Sequence, residues 1–181
     1  MATLLASYLF DGEAVHLMDI YSRPEDFTLQ TWTAEYVPGP RFPSNEVYLL
    51  TSERTHSAAK HFAYALQAAG RAMVVGAVTR GGAHPTGRYR ITEHFGLAVP
   101  EARAISPVTG ANWEETGVRP DVAVAADSAL QIAHRLALES LLRLHRTPDR
   151  EEDLRRALAR LTATRSEPRE SARERSGHPE W

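Results

Sequence analysis

The stretch that most limits how this chain can fold runs from residue 46 to residue 79. EVYLLT at 46–51 is a short apolar run with β-branched and aromatic character, and it reads as a buried strand. SAAKHFAYALQAA at 57–69 is rich in strong helix formers, with Gly70 placed to cap its end. RAMVVGAVT at 71–79 reads as a second buried strand. Strand, helix and strand in immediate succession make one βαβ unit, which implies a parallel pair joined by a right-handed crossover. The fold class expected is therefore α/β.

The flanking segments extend that pattern. Residues 2–10 favour helix and stop at Asp11-Gly12. Residues 14–22 and 28–36 are strand-like, and Thr28, Gln30, Trp32 and Ala34 alternate with Leu29, Thr31, Thr33 and Glu35 as a half-buried strand would. Pro38, Gly39, Pro40 and Pro43 make a rigid loop. After a Gly/Pro loop at 80–87, strand-like segments fall at 88–92, 94–99 and 101–105, a polar loop at 107–120 and a short strand at 121–125. Ala129, Ile132, Ala133, Leu136, Leu138, Leu141 and Leu142 then recur at helical spacing within 127–146. Residues 149–163 suit a charged helix that begins at Pro148 and Asp149. From 164 onward Arg, Glu, Ser and Pro dominate, and disorder is expected.

Composition excludes several function classes. A net charge of -2 supplies no basic field for nucleic acid or an anionic membrane. The absence of cysteine excludes disulfides, thiol catalysis and thiolate metal sites. No apolar run approaches the roughly 18 residues of a membrane span. The apolar start has no basic residue before it and reads as a domain helix, so the default localisation is cytoplasmic. His16, His61, His94, His134 and His145 show no metal-ligand spacing, and no cofactor is implied.

One position has chemical potential. TSERTHS at 51–57 connects the first buried strand to the helix, which sets Ser57 at or next to the first helical position. A serine there projects above the sheet, and the free N–H of Ala58 could stabilise a developing oxyanion. That is the logic of a nucleophile elbow, although the G-x-S-x-G signature is absent. The plain rival is a capping serine, the usual occupant of a helix start.

TSxxTxSAA at 51–59 followed by the helix resembles the nucleophile segment of the tail-specific (carboxyl-terminal-processing) protease family. That family includes the tricorn core protease and the repeats of interphotoreceptor retinoid-binding protein. The resemblance continues in order through GRA at 70–72 with Val75-Gly76, TRGGAHP at 79–85, SPVTGANWE at 106–114 and GVRPD at 117–121. LLASYLFDG at 4–12, Trp32-Thr33 and YVPG at 36–39 also fit the branch closest to the retinoid-binding protein and tricorn. The resemblance implies a crotonase-like, Clp-like spiral of βαβ units and a serine peptidase that acts through an acyl-enzyme on Ser57. Its domain would occupy 1–146, followed by the charged helix at 147–163 and the tail at 164–181. Its partner would be a peptide or protein substrate.

The base that activates Ser57 stays open among three candidates. The lysine of the family's lysine-dependent branch falls on Gly82 here, so that dyad is absent. His84, in the same loop, is a natural base near pH 7. A histidine outside this chain is the tricorn arrangement. Lys60 matches the S-x-x-K spacing of penicillin-recognising enzymes, without their companion motifs, and its plain reading is a solvent-facing lysine. By the resemblance Glu114 would complete a charge network near the serine, against the plain reading of a loop glutamate paired with an arginine. Glu115 stands where relatives often have glycine, and His56 is expected to point away.

In the family an Asp-x-Arg-x-Asn-x-Gly-Gly segment precedes the helix that here begins at Met1, and its glycine N–H supplies half of the oxyanion hole. One lost donor costs about 2.7–4 kcal/mol of transition-state stabilisation. The expectation is an impaired fragment whose exposed sheet edge favours a second copy or a complementing N-terminal segment. The rival function is a non-catalytic ligand- or peptide-binding module on the same fold.

Overall fold

The computed structural model describes residues 2–144 and 147–163. The chain divides into two compact units, Met1–Ala133 and His134–Trp181. In chain order the elements are α1 (Ala2–Ser7), β1 (His16–Ser22), β2 (Phe27–Trp32), β3 (Tyr48–Thr51), α2 (Ala58–Ala68), β4 (Met73–Gly76), β5 (Thr86–Arg90), β6 (Gly96–Pro100), β7 (Ala102–Ile105), β8 (Val122–Ala123), α3 (Ala126–Leu144) and α4 (Pro148–Ala163).

The βαβ unit forms as expected. β3 and β4 pair in parallel, with Leu50 opposite Val75, and α2 lies between them in sequence. β8 adds to the other side of β4, also in parallel, giving the order β3-β4-β8. Gly76, φ 138°, permits a contact no side chain would allow, because a Cβ there would lie 2.1 Å from the Thr51 carbonyl oxygen. α2 stops where Gly70 adopts φ 65° and the N–H of Arg71 donates to Leu66 O at 2.8 Å, a Schellman closure.

A second sheet, β2-β1-β7, is antiparallel, and β5-β6 form a separate hairpin that pairs Tyr89 with Leu97. Two expectations need correction. β2 is exposed along nearly its whole length, with Phe27 at 56% and Leu29 at 57%, because it is the edge strand of its sheet. β3 is also an edge strand, and Leu50 faces out, so only Thr51 is buried.

The core of the first unit gathers Ala6, Leu17, Met18, Ala63, Ala65, Leu66, Ala104 and Val118 from α1, β1, α2, β7 and the segment before β8. Ala83 and Trp113, from the two loops that the motif pattern singled out, belong to the same cluster. Those loops are therefore anchored in the core rather than laid over it. Two guanidiniums fasten the Pro-rich segment: Arg41 donates to the carbonyls of Ser7, Ala34 and Glu35, and Arg71 to those of Leu9, Phe42 and Asn45.

Within the second unit, Arg135–Glu139, Arg155–Glu151 and Arg156–Glu152 make i,i+4 ion pairs of the kind that support charged helices. The expected disordered tail lies outside the described residues. Among the described residues no helix is long and apolar enough to cross a membrane.

Candidate functional site

Between β3 and α2 the chain makes a tight corner. The Ser52 N–H donates to Thr55 Oγ1 and the Thr55 N–H to Ser52 O, both at 3.0 Å. Ser57 follows at φ 51°, ψ −133°, a backbone conformation that L residues rarely adopt. Such a conformation costs on the order of 1–3 kcal/mol and persists where the surroundings over-determine it. Ser57 occupies the N-cap position without capping: its hydroxyl makes no hydrogen bond to the helix. The side chain is solvent-exposed, and its hydroxyl has no partner among the described residues. The N–H groups of Lys60 and His61 both turn back to Ser57 O, at 2.9 and 3.2 Å, whereas the Ala58 N–H has no acceptor among the described residues. A free hydroxyl and a free N–H thus stand side by side at a positive helix end.

The Gly-rich loop and the loop before β8 pack directly on each other. A Cβ on Gly81 would lie 2.8 Å from the backbone nitrogen of Glu115, so only glycine permits this approach. Glu115 itself sits at φ 61°, the left-handed conformation that glycine favours. Trp113, buried against Tyr64 and His61, donates its indole N–H to Gly82 O at 3.1 Å. Glu114 Oε2 accepts the Ala83 N–H at 2.6 Å and stands 3.5 Å from His84 Nδ1. The Ala83 N–H is the main reason the Glu114 carboxyl is held below its ordinary pKa; the neighbouring His84 adds to it and partial burial opposes it. A carboxylate facing Nδ1 favours a proton there and leaves Nε2 of the ring as the acceptor. His84 lies on the wall of an open cleft of about 340 Å³, shared with Tyr21, Arg23, Glu101 and Arg103.

Lys60 is not the solvent-facing side chain expected. It is 4% exposed, and Nζ donates to the carbonyls of Arg80, Gly81 and Gly82 at 3.1, 2.5 and 2.9 Å. Burial lowers its pKa and the Glu114 carboxylate partly restores it. The signal was present in the spacing, because Lys60, Ala63 and Leu66 follow the helical stride and the latter two are core residues. His56 is exposed, its ring bonded to Arg54 O at 2.9 Å.

The structure therefore brings Glu114 and His84 together and ties both to the loop that Lys60 holds. It does not join Ser57 to His84 by a hydrogen bond; such contacts often tighten only when substrate is bound. Among the described residues no group of three or more His, Asp or Glu side chains could hold a metal ion.

The profile of peptidase family S41 matches residues 3–124. Among solved structures, a Parabacteroides merdae protein assigned as a peptidase is similar over 76% of this chain and 47% of its own, at 19% identity and TM-score 0.63. A Bacteroides fragilis protein assigned as an S41 protease is similar over 90% of this chain and 41% of its own, at 20% identity and TM-score 0.55. The photosystem II D1 C-terminal processing protease is similar over 69% and 31%, at 20% identity and TM-score 0.53. The chain thus spans less than half the length of each of these structures.

Proposed function

We propose, from the premise that this chain belongs to peptidase family S41, that it carries the nucleophile half of a serine-peptidase site and cleaves peptide bonds through an acyl-enzyme on Ser57. The observation that carries the reading is the conformation of Ser57: a serine at φ 51° with an uncommitted hydroxyl, where a capping serine would bond its own helix.

The proposed chemistry gives each residue one role. His84 Nε2 takes the proton from Ser57 Oγ as the oxygen attacks the substrate carbonyl. The negative charge that develops on the carbonyl oxygen is met by the Ala58 N–H, reinforced by the dipole of α2. The imidazolium formed on His84 is stabilised by Glu114, whose carboxylate is already fixed by the Ala83 N–H. His84 then protonates the leaving amine, and water releases the acyl group by the same path reversed. The cleft beside His84 offers room for a peptide side chain. The open edge of β3 supports the addition of a further strand from a second copy, which a strictly monomeric chain in sedimentation would exclude.

The test is covalent labelling of the purified chain by a fluorophosphonate, beside Ser57→Ala and His84→Ala. Labelling that vanishes in the first and falls at least about 100-fold in the second is expected. Labelling that survives Ser57→Ala, or none in the parent chain, would return the protein to the non-catalytic binding reading.

A further inference from the structure

Three consecutive carbonyl oxygens, of Arg80, Gly81 and Gly82, converge on a single point occupied by Lys60 Nζ. Carbonyl dipoles aimed at one point repel each other, and a cation at their focus reverses the sign of that interaction. Only an ammonium has three protons for three acceptors; a neutral amine has two. The next amide along, Ala83 N–H, is held from the other side by Glu114 Oε2, and the residue after it is His84. Lys60 also belongs to the first turn of α2, where its own N–H donates to Ser57 O at 2.9 Å. A Cβ on Gly82 would lie 3.7 Å from Nζ, at ordinary van der Waals contact.

We propose that Lys60 is a positioning residue: its ammonium ties the helix that begins at the nucleophile to the loop that carries the base, and it takes no part in proton transfer. The proposal rests on the peptidase reading only in what the tie is for. The tie itself, a charged clamp between α2 and residues 80–82, stands on the geometry. Glu114 serves it twice, by balancing the ammonium charge and by holding the opposite side of the same loop.

Lys60 is the only lysine in the chain, so its state can be read directly. Selective 13C-lysine labelling gives one ε-methylene signal, and the clamp requires the chemical shift of an ammonium at pH 7. An amine-directed acylating reagent should leave Lys60 untouched in the folded chain. A neutral amine at pH 7 would overturn the proposal. In Lys60→Ala, hydrogen exchange at the Ala83 amide should quicken at least about 10-fold, and an unchanged rate would overturn the proposal equally. Ser57 labelling by the fluorophosphonate should fall at least about 10-fold in this variant and return on addition of ammonium or methylammonium ions, to an extent independent of amine basicity. Recovery that climbs with amine basicity would make Lys60 a base and refute positioning. If the parent chain takes no label, the peptidase reading fails while the lysine signal and the amide exchange still decide the clamp. If Lys60→Ala does not fold, the lysine signal of the parent chain decides it.

Discussion

The stability of Ser57 variants separates a nucleophile elbow from a helix cap without any substrate. A capping serine contributes typically about 1 kcal/mol, all of it lost on substitution by alanine. Here the hydroxyl bonds nothing and is exposed, and alanine suffers the same backbone strain as serine, so Ser57→Ala should change stability by less than about 0.5 kcal/mol. Ser57→Gly goes further. Glycine relieves strain of about 1–3 kcal/mol and gives back about 0.5–1 kcal/mol through the freedom of its unfolded state. The net expectation is a gain of about 1 kcal/mol, which for a chain of this size raises Tm by roughly 2–4 °C. Urea and thermal denaturation followed by circular dichroism measure both variants beside the parent. A Ser57→Ala variant that loses 1 kcal/mol or more, or a Ser57→Gly variant that is destabilised, would refute the reasoning, because either result means that the serine holds its corner together.

Three further outcomes follow from the neighbouring geometry. Gly81→Ala would drive a Cβ against the Glu115 backbone, so about 1–3 kcal/mol of stability should be lost in denaturation, and Ser57 labelling with it. The Glu114 carboxyl has its pKa held down in the folded state, so it contributes stability that is present above about pH 4.3 and is lost as pH falls through its lower folded value. Glu114→Gln should remove that acid dependence from urea midpoints and slow labelling at least about 10-fold. Burial holds His61 below its ordinary pKa, so the unfolded chain binds more protons and stability should decline as pH drops below about 6.5. His61→Phe should flatten the urea midpoint between pH 7.5 and 5, and an unchanged slope would show that His61 is not the group responsible.

Much of the architecture was legible because it rests on local signals. The apolar runs at 46–51 and 71–79 around a strong helix former leave little but a parallel pair, and Gly70 ends α2 at a left-handed position only glycine enters readily. The motif order placed His84 and Glu114 in two loops that pack on each other, with Ala83 and Trp113 from those loops in the core cluster. Exposure was less legible. The alternation in β2 resembles a half-buried strand, but burial depends on which sheet position a strand occupies, and among the described residues β2 has a neighbour on one side only. Lys60 was misread for a related reason. The stride shared with Ala63 and Leu66 sets Lys60 on the inner face of α2, but what satisfies its charge there is not local, since the three carbonyls come from residues twenty and more positions away. The positive φ of Ser57 left no local trace at all, since no glycine or asparagine marks it.

β4 and β8 are sheet neighbours, yet β4 ends at Gly76 and β8 begins at Val122. Their junction is locked by Asp121, whose carboxylate accepts the Val74 N–H at 2.7 Å and whose own N–H donates to Val74 O at 2.8 Å. His84, Glu114 and the β5-β6 hairpin are thus all carried on one closed excursion between adjacent strands. Closure entropy grows only with the logarithm of length, so doubling such an excursion costs about 0.6 kcal/mol. Growth or shrinkage at the hairpin tip, residues 91–95, can therefore proceed while strand order and the clamped loops stay as they are.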